Sequence, residues 1–253
     1  MKTYKKAFVT GGATRIGLSI VSYLAELGLD VAVQFNSSKE NINKMKNKFS
    51  KVNVKFEAFQ KDFSKSFSYE DFSDEIKKKF GSFDLLVNNA SAFEFDTIKE
   101  TNTEIFDKHI SVNLKAPFFL TNLFVKQLQN KNGLVVNIID QRVKNITPYF
   151  SSYTLSKSGL YALTKNSSLF LSPNIRVNGI SPGPTLKSKN QTTKQFKDQV
   201  KRTPLMRQVE LKEINNAILY LMNNKSVTGE ILTIDSGQSL GWANTKSKVF
   251  TSD

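Results

Sequence analysis

Short apolar runs alternate with amphipathic segments along the chain, and this alternation predicts a repeat of strands and helices. Seven runs of four to seven residues are mostly apolar and are bounded by polar or turn residues. We predict them as strands at 7–10, 30–35, 52–58, 83–87, 134–139, 175–180 and 230–234. Because their apolar character is continuous rather than alternating, we expect both faces of these strands to be covered.

Between the predicted strands, apolar residues recur at helical spacing. Three sets show this spacing: Ile16, Ile20, Leu24 and Leu27, then Ile105, His109, Val112 and Ala116, and later Ile214, Ile218 and Leu221. Strand and helix alternate repeatedly, which predicts an α/β fold with a doubly wound, Rossmann-type sheet of seven parallel strands. No repeat, low-complexity linker or composition break divides the chain, so we expect a single domain over 1–253.

Composition narrows the classes of protein that this chain can represent. With 39% hydrophobic and 23% charged residues among 253, the sequence is typical of a globular protein. It contains no cysteine, which excludes disulfides, thiolate zinc sites and cysteine nucleophiles. The single histidine, His109, cannot build a multi-histidine metal centre, and its helical spacing predicts a structural, packing position. We therefore expect no bound metal.

Hydropathy and charge argue against membranes and nucleic acids as partners. The apolar run 7–9 is too short for a signal peptide, and no run approaches the roughly 18 apolar residues of a membrane span, so we expect a cytoplasmic protein. The net charge of +14 comes from basic residues scattered among acidic ones, without a basic stripe interleaved with aromatic residues. We attribute it to solvated lysines and expect a modest attraction for anionic ligands.

The first predicted strand leads into a glycine-rich turn with the sequence TGGATRIG at 10–17. Glycines let the backbone approach a pyrophosphate, which the N-terminus of the following helix attracts. With a strand before it and a helix after it, this turn predicts a dinucleotide site that uses Gly11, Thr14, Arg15 and Ile16. Arg15 takes the place of the usual middle glycine and puts a cation next to the phosphates.

The second predicted strand is followed by Asn36, Ser37, Ser38 and Lys39, without a carboxylate. NAD-dependent enzymes place Asp or Glu there for the ribose 2′-hydroxyl, whereas a carboxylate would repel a 2′-phosphate. Hydroxyls, an amide and a lysine suit the phosphate instead. The predicted cofactor is therefore NADPH rather than NADH.

Further polar residues stand near the ends of later strands. NNASAF at 88–93 follows the fourth strand, Asn113 lies on the next helix, Asp140 follows the fifth strand, and Tyr153 and Lys157 lie on the helix after it. Tyr153 and Lys157 share a helix face, and we expect the ammonium to lower the pKa of the phenol toward working pH and make it a usable acid. A polar turn and a solvated Tyr–Lys pair are the plainer explanations of single motifs, but their joint occurrence predicts an active site.

Together these motifs resemble the short-chain dehydrogenase/reductase family over the chain from 10 to about 241. The resemblance implies that Tyr153 is the acid, that Lys157 binds the ribose and tunes Tyr153, and that Asn113 holds a water in the proton path. It further implies cofactor contacts from Asp62, Asn89, Ala90, Ser91, Pro182 and Gly183, and a small-molecule substrate.

One position departs from the family pattern, because Asp140 stands where the family has its catalytic serine. A serine hydroxyl donates to a substrate oxygen that becomes an alkoxide, whereas an ionised carboxylate can only accept. Asp140 therefore suits a substrate with N–H donors that needs a proton on a ring nitrogen, such as a pterin. The pteridine reductases and the bacterial dihydromonapterin and dihydrofolate reductases are similar, with matching residues here at Arg15, Ser91 and Phe93.

That resemblance implies that Phe93 stacks on the pterin ring, that Arg15 and Ser91 contact the pterin and the phosphates, and that Asp140 assists Tyr153. A core position for Phe93 and a cap or ion-pair role for Asp140 are the plainer alternatives. Three hypotheses stay open: an NADPH-dependent reductase of a dihydropterin or dihydrofolate ring, a carbonyl reductase acting for instance on 3-oxoacyl thioesters, and a dinucleotide-binding regulatory protein without turnover.

The segment 183–208 is polar and rich in Lys, Thr and Gln. In the family this position forms a mobile flap over the substrate, and we expect a flap here, with a solvated helix as the alternative. Its basic residues could meet the glutamate tail of a folate: Lys187, Lys189, Lys194, Lys197, Lys201 and Arg202. The stretch 235–242 resembles a turn that packs between subunits, which implies a homotetramer, and 243–253 is predicted to be a loose polar tail.

Overall fold

The computed structural model describes residues 4–129 and 131–241, and its seven strands form one parallel sheet. The strands are β1 (Lys6–Thr10), β2 (Asp30–Phe35), β3 (Phe56–Gln60), β4 (Leu85–Asn88), β5 (Gly133–Ile138), β6 (Ile175–Pro182) and β7 (Ile231–Ile234). Their order across the sheet is β3-β2-β1-β4-β5-β6-β7, and every neighbouring pair is parallel. The predicted doubly wound α/β fold is confirmed.

Helices cover both faces of this sheet. They are α1 (Arg15–Glu26), α2 (Lys39–Phe49), α3 (Tyr69–Lys79), α4 (Thr103–Ile110), α5 (Ala116–Leu128), α6 (Ser151–Phe170), α7 (Thr193–Lys201) and α8 (Leu211–Asn223). Because side chains alternate along a strand, Ala7 and Val9 of β1 enter one apolar cluster and Phe8 enters the other. All three are fully buried, so the strand is apolar throughout, as the continuous pattern predicts.

The predicted third strand at 52–58 is wrong in position. β3 begins at Phe56, and the residues just before it form a turn in which the Val52 side chain is 45% exposed. The position of β3 is set by its pairing with β2, which runs in register from Val31 opposite Phe56 to Phe35 opposite Gln60. Pairing with a neighbour is absent from local hydropathy, so the apolar residues of the turn were included in the predicted strand.

The order of the strands reverses at β1, which lies between β2 and β4. The connections that follow β1 and β4 leave toward opposite sides of the sheet. The crevice at the carboxyl ends of these two strands is the place where open sheets of this kind bind ligands. The glycine-rich turn follows β1, and the NNAS segment follows β4. The topology therefore brings two of the predicted motifs to one crevice.

Residues 4–129 and 131–241 contain no helix that is long and apolar enough to cross a membrane. Within the same ranges, no group of three or more His, Asp or Glu side chains is arranged to hold a metal ion. The predicted flap at 183–208 contains α7, so part of it is the helix that the alternative hypothesis describes. The predicted polar tail at 243–253 lies outside the described residues.

Candidate active site

The turn between β1 and α1 packs tightly around its glycines. Gly11 has a φ of +61°, and a Cβ on Gly17 would lie 2.2 Å from the carbonyl oxygen of Gly11 and 2.5 Å from Nδ2 of Asn89. Asn89 donates from that Nδ2 to the carbonyl oxygens of Thr10 and Gly11 over 2.9 and 3.2 Å. Thr14, the N-cap residue of α1, makes no capping side-chain hydrogen bond, which leaves the helix N-terminus to an anionic group.

Two buried polar residues that were not among the predicted site residues hold this turn in place. Oγ1 of Thr10 accepts the backbone N–H groups of Asn89 and Ala90, each over 2.9 Å. Oε1 of Gln34, at the end of β2, accepts the N–H of Gly11 over 2.9 Å. Polar residues at the carboxyl ends of apolar strands are the signal that could have found them.

Strand β2 is followed by Asn36 and Ser37, both exposed, and then by Ser38 and Lys39. Asp62, after β3, accepts the N–H and the hydroxyl of Ser64 over 2.9 and 2.7 Å. Burial raises the pKa of Asp62, but these hydrogen bonds and nearby charge outweigh it and leave the pKa lowered. A hydrogen bond from the Asn36 side chain also lowers the pKa of Asp62, so this carboxylate lies beside the residues that follow β2.

Arg15 adopts a left-handed backbone conformation with a φ of +54° and is exposed. Its guanidinium donates to the backbone carbonyl oxygens of Leu186 and Lys187 over 3.1 and 2.9 Å. The side chain therefore connects the glycine-rich turn to the start of the flap. The contacts of Arg15 that this geometry shows are those with the flap. Its contacts with phosphates and with a pterin stay predictions.

Tyr153 and Asp140 form the central contact of the site. Oη of Tyr153 donates to Oδ2 of Asp140 over 2.8 Å, and the tyrosine is 5% exposed. Oδ1 of Asp140 accepts the N–H of Arg142 over 2.8 Å and caps the short 3₁₀ turn Gln141–Val143. Asp140 therefore has the capping role that was the plainer alternative and the contact with Tyr153 that the sequence predicts.

The expected lowering of the phenol pKa is wrong. Burial raises the pKa of Tyr153 well above its ordinary value, and the charge and hydrogen bond of Asp140 raise it further. The positive charge of Arg142 and a hydrogen bond from Ser91 lower it by less. The phenol is thus held protonated beside a carboxylate that accepts its hydrogen bond.

Lys157 and Asn113, the other predicted catalytic residues, are both buried. Lys157 is 2% exposed and donates from Nζ to the carbonyl oxygen of Ile138 over 2.8 Å. Burial lowers the pKa of Lys157 to about 8, although the charge of Asp140 acts in the opposite direction. Asn113 lies in the π-helical segment Ser111–Lys115 between α4 and α5.

The Asn113 side chain is fully buried and fixes two neighbouring segments. Its Oδ1 accepts the N–H of Ala92 over 2.8 Å, and its Nδ2 donates to Ala92 O and Ser156 Oγ, each over 3.0 Å. Ser156 in turn donates to the carbonyl oxygen of Tyr153 over 2.7 Å. The amide thus joins the NNAS segment to the first turns of α6.

Aromatic rings form one wall of the site. Phe93 is 38% exposed and stacks on Phe150 with ring centroids 4.5 Å apart and planes within 9°. It also meets Tyr153 in a T-shaped contact with centroids 4.7 Å apart. The guanidinium carbon of Arg142 lies 4.7 Å from the Phe150 centroid. Phe93 is therefore a wall residue, and the core position that was its alternative does not apply.

The other predicted residues lie around the same crevice. Ile16 is in the first turn of α1, Ala90 and Ser91 follow β4, and Pro182 and Gly183 end β6 and begin the flap. A Cβ on Gly183 would lie 2.6 Å from Cα of Asp235, so the start of the flap packs on the segment after β7. The structure thus brings every predicted site segment to the carboxyl edge of the sheet.

The parallel sheet, the glycine-rich turn and the grouping of Asn113, Tyr153 and Lys157 define a nucleotide-dependent oxidoreductase. A sequence profile of the short chain dehydrogenase family matches residues 5–199, and the chain belongs to this family. The family predicted from the sequence motifs is confirmed.

Particular relatives fall into two groups. Among solved structures, the FolM alternative dihydrofolate reductase 1 from Brucella canis, complexed with NADP, is similar with a TM-score of 0.91 and 38% identity, over 97% of this chain and 98% of that one. The Brucella suis protein, also with NADP, has a TM-score of 0.91 and 39% identity, over 97% and 99%. These likenesses support the predicted pteridine and dihydrofolate reductase subgroup.

Among curated sequences, the 3-oxoacyl-[acyl-carrier-protein] reductase FabG of Staphylococcus epidermidis is 29% identical over 92% of this chain and 98% of its own. An uncharacterized oxidoreductase of Thermotoga maritima is 30% identical over 93% and 97%. The relatives thus agree on the family and differ in substrate.

Proposed function

We propose that this protein is an NADPH-dependent reductase of a dihydropterin or dihydrofolate ring. The observation that carries the proposal is the 2.8 Å hydrogen bond from Tyr153 Oη to Asp140 Oδ2, at the position where the family has serine. A carboxylate there cannot donate to a carbonyl oxygen that gains negative charge, but it can accept N–H groups of a nitrogen heterocycle.

NADPH fits the residues at the crevice between β1 and β4. Gly11 and Gly17 allow the tight turn after β1, because a side chain on either would meet Asn89 or its neighbours. The N-terminus of α1 offers its N–H groups to a pyrophosphate. The hydroxyls of Ser37 and Ser38 and the amide of Asn36 would hold the 2′-phosphate, since residues 36–39 include no carboxylate. When bound, the cofactor supplies the hydride. The NADP in both Brucella structures supports this cofactor.

Side chains of this protein would hold and transfer the proton. Asp140 accepts an N–H of the substrate and, by its charge, keeps the phenol of Tyr153 protonated. Tyr153 passes or relays a proton to the ring nitrogen next to the reduced carbon, with Asp140 as its partner. Lys157 would hold the ribose hydroxyls, and Asn113 would keep this group in register with the NNAS segment.

A flat substrate would bind against the aromatic wall. Phe93 lies in contact with Tyr153 and is partly exposed, so its ring can pack on a planar heteroaromatic. Ser91, which is exposed next to the phenol, and Arg15, which reaches the flap, would contact the pterin and the phosphates. The flap then closes from the opposite side and excludes water.

Cofactor oxidation with three substrates tests the proposal. Wild type is expected to oxidise NADPH with a dihydropterin or dihydrofolate, and Asp140→Ser is expected to lower kcat/KM for that substrate about 100-fold because the N–H acceptor is lost. The same variant should gain activity with an acetoacetyl thioester. Asp140→Asn, which keeps the shape of the side chain but removes its charge, is the matched control. Undiminished pterin reduction by Asp140→Ser would contradict the proposal.

A carbonyl reductase is the second candidate. It is favoured by the 29% identity to the FabG reductase and by the set of Asn113, Tyr153 and Lys157, which does not depend on Asp140. NADPH loss driven by the thioester in wild type, with no loss for either ring substrate, would favour this candidate. Wild type that binds NADPH but reduces none of the three would favour the regulatory hypothesis.

A further inference from the structure

A chain of hydrogen bonds runs behind Tyr153 through three buried side chains that the proposed chemistry does not use. Asp96 and His109 are 0% exposed, and Ser152 is 4% exposed. Oγ of Ser152 lies 2.5 Å from Oδ2 of Asp96 and 2.7 Å from Nδ1 of His109. The N–H of Glu94 lies 3.0 Å from Nε2 of His109. We name these residues the Asp96–Ser152–His109 chain.

The proton positions along this chain follow from its two ends. The backbone N–H of Glu94 can only donate, so Nε2 of His109 is an acceptor and Nδ1 carries the ring proton. Nδ1 therefore donates to Ser152, and the Ser152 proton is directed to the Asp96 carboxylate. A neutral imidazole and an ionised carboxylate satisfy every donor and acceptor in only this direction.

The Asp96 end of the chain fixes the start of the catalytic helix. Its carboxylate accepts the N–H of Ser152 over 3.1 Å, and its carbonyl oxygen accepts the N–H of Phe150 over 2.7 Å. Phe150, the N-cap residue of α6, has a φ of +59° and makes no capping side-chain hydrogen bond of its own. Asp96 thus caps α6 from another segment of the chain. The N–H group that it accepts belongs to Ser152, the residue just before Tyr153.

The His109 end of the chain fixes the aromatic wall. The N–H that His109 accepts belongs to Glu94, the residue directly after Phe93. The imidazole also contacts the Tyr153 ring edge-on, with centroids 5.8 Å apart and planes at 71°. One imidazole therefore bonds the loop that carries Phe93 and the helix that carries the phenol.

We propose that Asp96, Ser152 and His109 are positioning residues of this reductase. The bonds between Asp96, Ser152 and Nδ1 of His109 set the place of the Tyr153 phenol, and the bond from Glu94 to Nε2 sets the place of Phe93. This inference goes beyond the proposed function, because placement of the phenol matters for any substrate that Tyr153 protonates.

Two substitutions of His109 test its two hydrogen bonds separately, the one to Ser152 and the one from Glu94. His109→Asn keeps a donor near the Nδ1 position but loses the acceptor for Glu94, so KM for the ring substrate should rise about tenfold with kcat within about twofold. His109→Gln keeps an acceptor near the Nε2 position but loses the donor to Ser152, so kcat should fall about tenfold with KM within about twofold. NADPH affinity should be unchanged in both.

Thr164→Val is the matched control. Thr164 is also fully buried on α6 and also takes part in a side-chain hydrogen bond, from Asn137 over 2.8 Å, but it lies three turns away from Tyr153. It should lower the melting temperature, as the two His109 substitutions should, while leaving KM and kcat near wild type. Equal effects of His109→Asn and His109→Gln on kcat and KM, or effects no larger than those of Thr164→Val, would overturn the proposal.

The ring tautomer gives a readout that does not depend on turnover. Since His109 is the only histidine, ¹⁵N-histidine labelling of protein with its affinity tag removed yields one imidazole, whose shifts should report the Nδ1–H form at neutral pH. An Nε2–H form would contradict the proton positions assigned to Asp96, Ser152 and His109. If wild type reduces the thioester instead of a ring substrate, the proposed function fails, and the same variants are compared with that thioester.

Discussion

Burial of the Lys157 ammonium gives the free enzyme an ionisation near neutral pH. The pKa of Lys157 lies at about 8, lowered by burial and partly restored by the charge of Asp140. We expect kcat/KM for NADPH, which reports the free enzyme, to fall as pH rises through about 8, because the neutral amine no longer attracts the cofactor.

Removing the charge of Asp140 should move this limb to lower pH, since Asp140 raises the pKa of Lys157. Steady-state kinetics across pH 6 to 10 on wild type and Asp140→Asn measure both limbs. A limb that stays in place in the variant would show that Asp140 does not act on the ammonium.

The same burial makes Lys157 costly to the folded state. Its pKa is about 8 in the fold and 10.5 ordinarily, so the unfolded chain binds more protons between these values and stability rises with pH across that window. The cost below pH 8 is on the order of 3 kcal/mol.

Lys157→Met should therefore abolish activity and raise the free energy of unfolding at pH 7 by about 1 to 3 kcal/mol, reduced by the loss of the bond to Ile138. The gain should shrink as pH rises from 8 to 10.5. Urea denaturation without cofactor, at pH 7 and pH 10, provides the measurement. A variant less stable than wild type at pH 7 would contradict it.

At the residue scale, the positions of the site residues can be predicted from the sequence more reliably than their ionisation. Spacing alone puts Tyr153 beside Lys157, but the pKa of Tyr153 depends on burial and on Asp140, which the fold brings to 2.8 Å. His109 and Asp96 are joined only through Ser152, 43 and 56 positions away in the chain. No local pattern contains such a contact.

Among the elements, α7 depends on its ends because no residue in it is buried. Thr192 and Gln195 form a capping box at its N-terminus. Thr192→Ala should cost the helix about 1 kcal/mol, so amides of 193–201 should exchange several-fold faster and KM for the substrate should rise, with little change in melting temperature.

Hydrogen exchange read by mass spectrometry checks this expectation. Ser68→Ala is the matched control, since Ser68 caps α3 by accepting the N–H of Asp71 over 3.0 Å. It should loosen α3 without any change in KM. Unchanged exchange at α7 in Thr192→Ala would show that other contacts hold the flap helix.

The elements also show where local pattern stops being informative. Helix α8 follows its predicted apolar spacing, with Ile214, Ile218 and Leu221 all buried. β3 is shifted from 52–58 to Phe56–Gln60 because its position depends on pairing with β2. The π-helical segment at Asn113 likewise interrupts a pattern that looks continuous from 105 to 116.

For the whole molecule, exposed apolar side chains on α5 and α6 support the proposed homotetramer. Phe118 is 51%, Leu155 56%, Leu169 81% and Phe170 86% exposed. Exposed apolar side chains of this kind favour burial between subunits. Light scattering after gel filtration should give about four times the 28.5 kDa chain mass.

Leu169→Lys combined with Phe170→Glu should reduce that mass to smaller species. Val52→Asp, at an exposed apolar residue in the turn before β3, should leave it unchanged. A monomeric wild type would contradict the proposed assembly.

The fold was predictable because its strands are continuously apolar and its turn motif is local. The order of the strands, by contrast, rests on pairings that no single segment specifies, and the sequence did not predict it. The position of the site was also predictable. Residues such as Asn89, Ser91 and Asp140 stand just after strands, and a parallel sheet brings the carboxyl ends of its strands to one edge.

The link from Arg15 to the flap has a consequence for how substrate range can change. The guanidinium holds the flap through the main chain of Leu186 and Lys187, and every amino acid provides the same carbonyl oxygen. Side chains of this segment can therefore be exchanged, by evolution or in a library, while the tether to the nucleotide turn persists. Randomising 187–202, with the capping residues Thr192 and Gln195 kept, is thus a route to new specificities that spares the attachment of the flap.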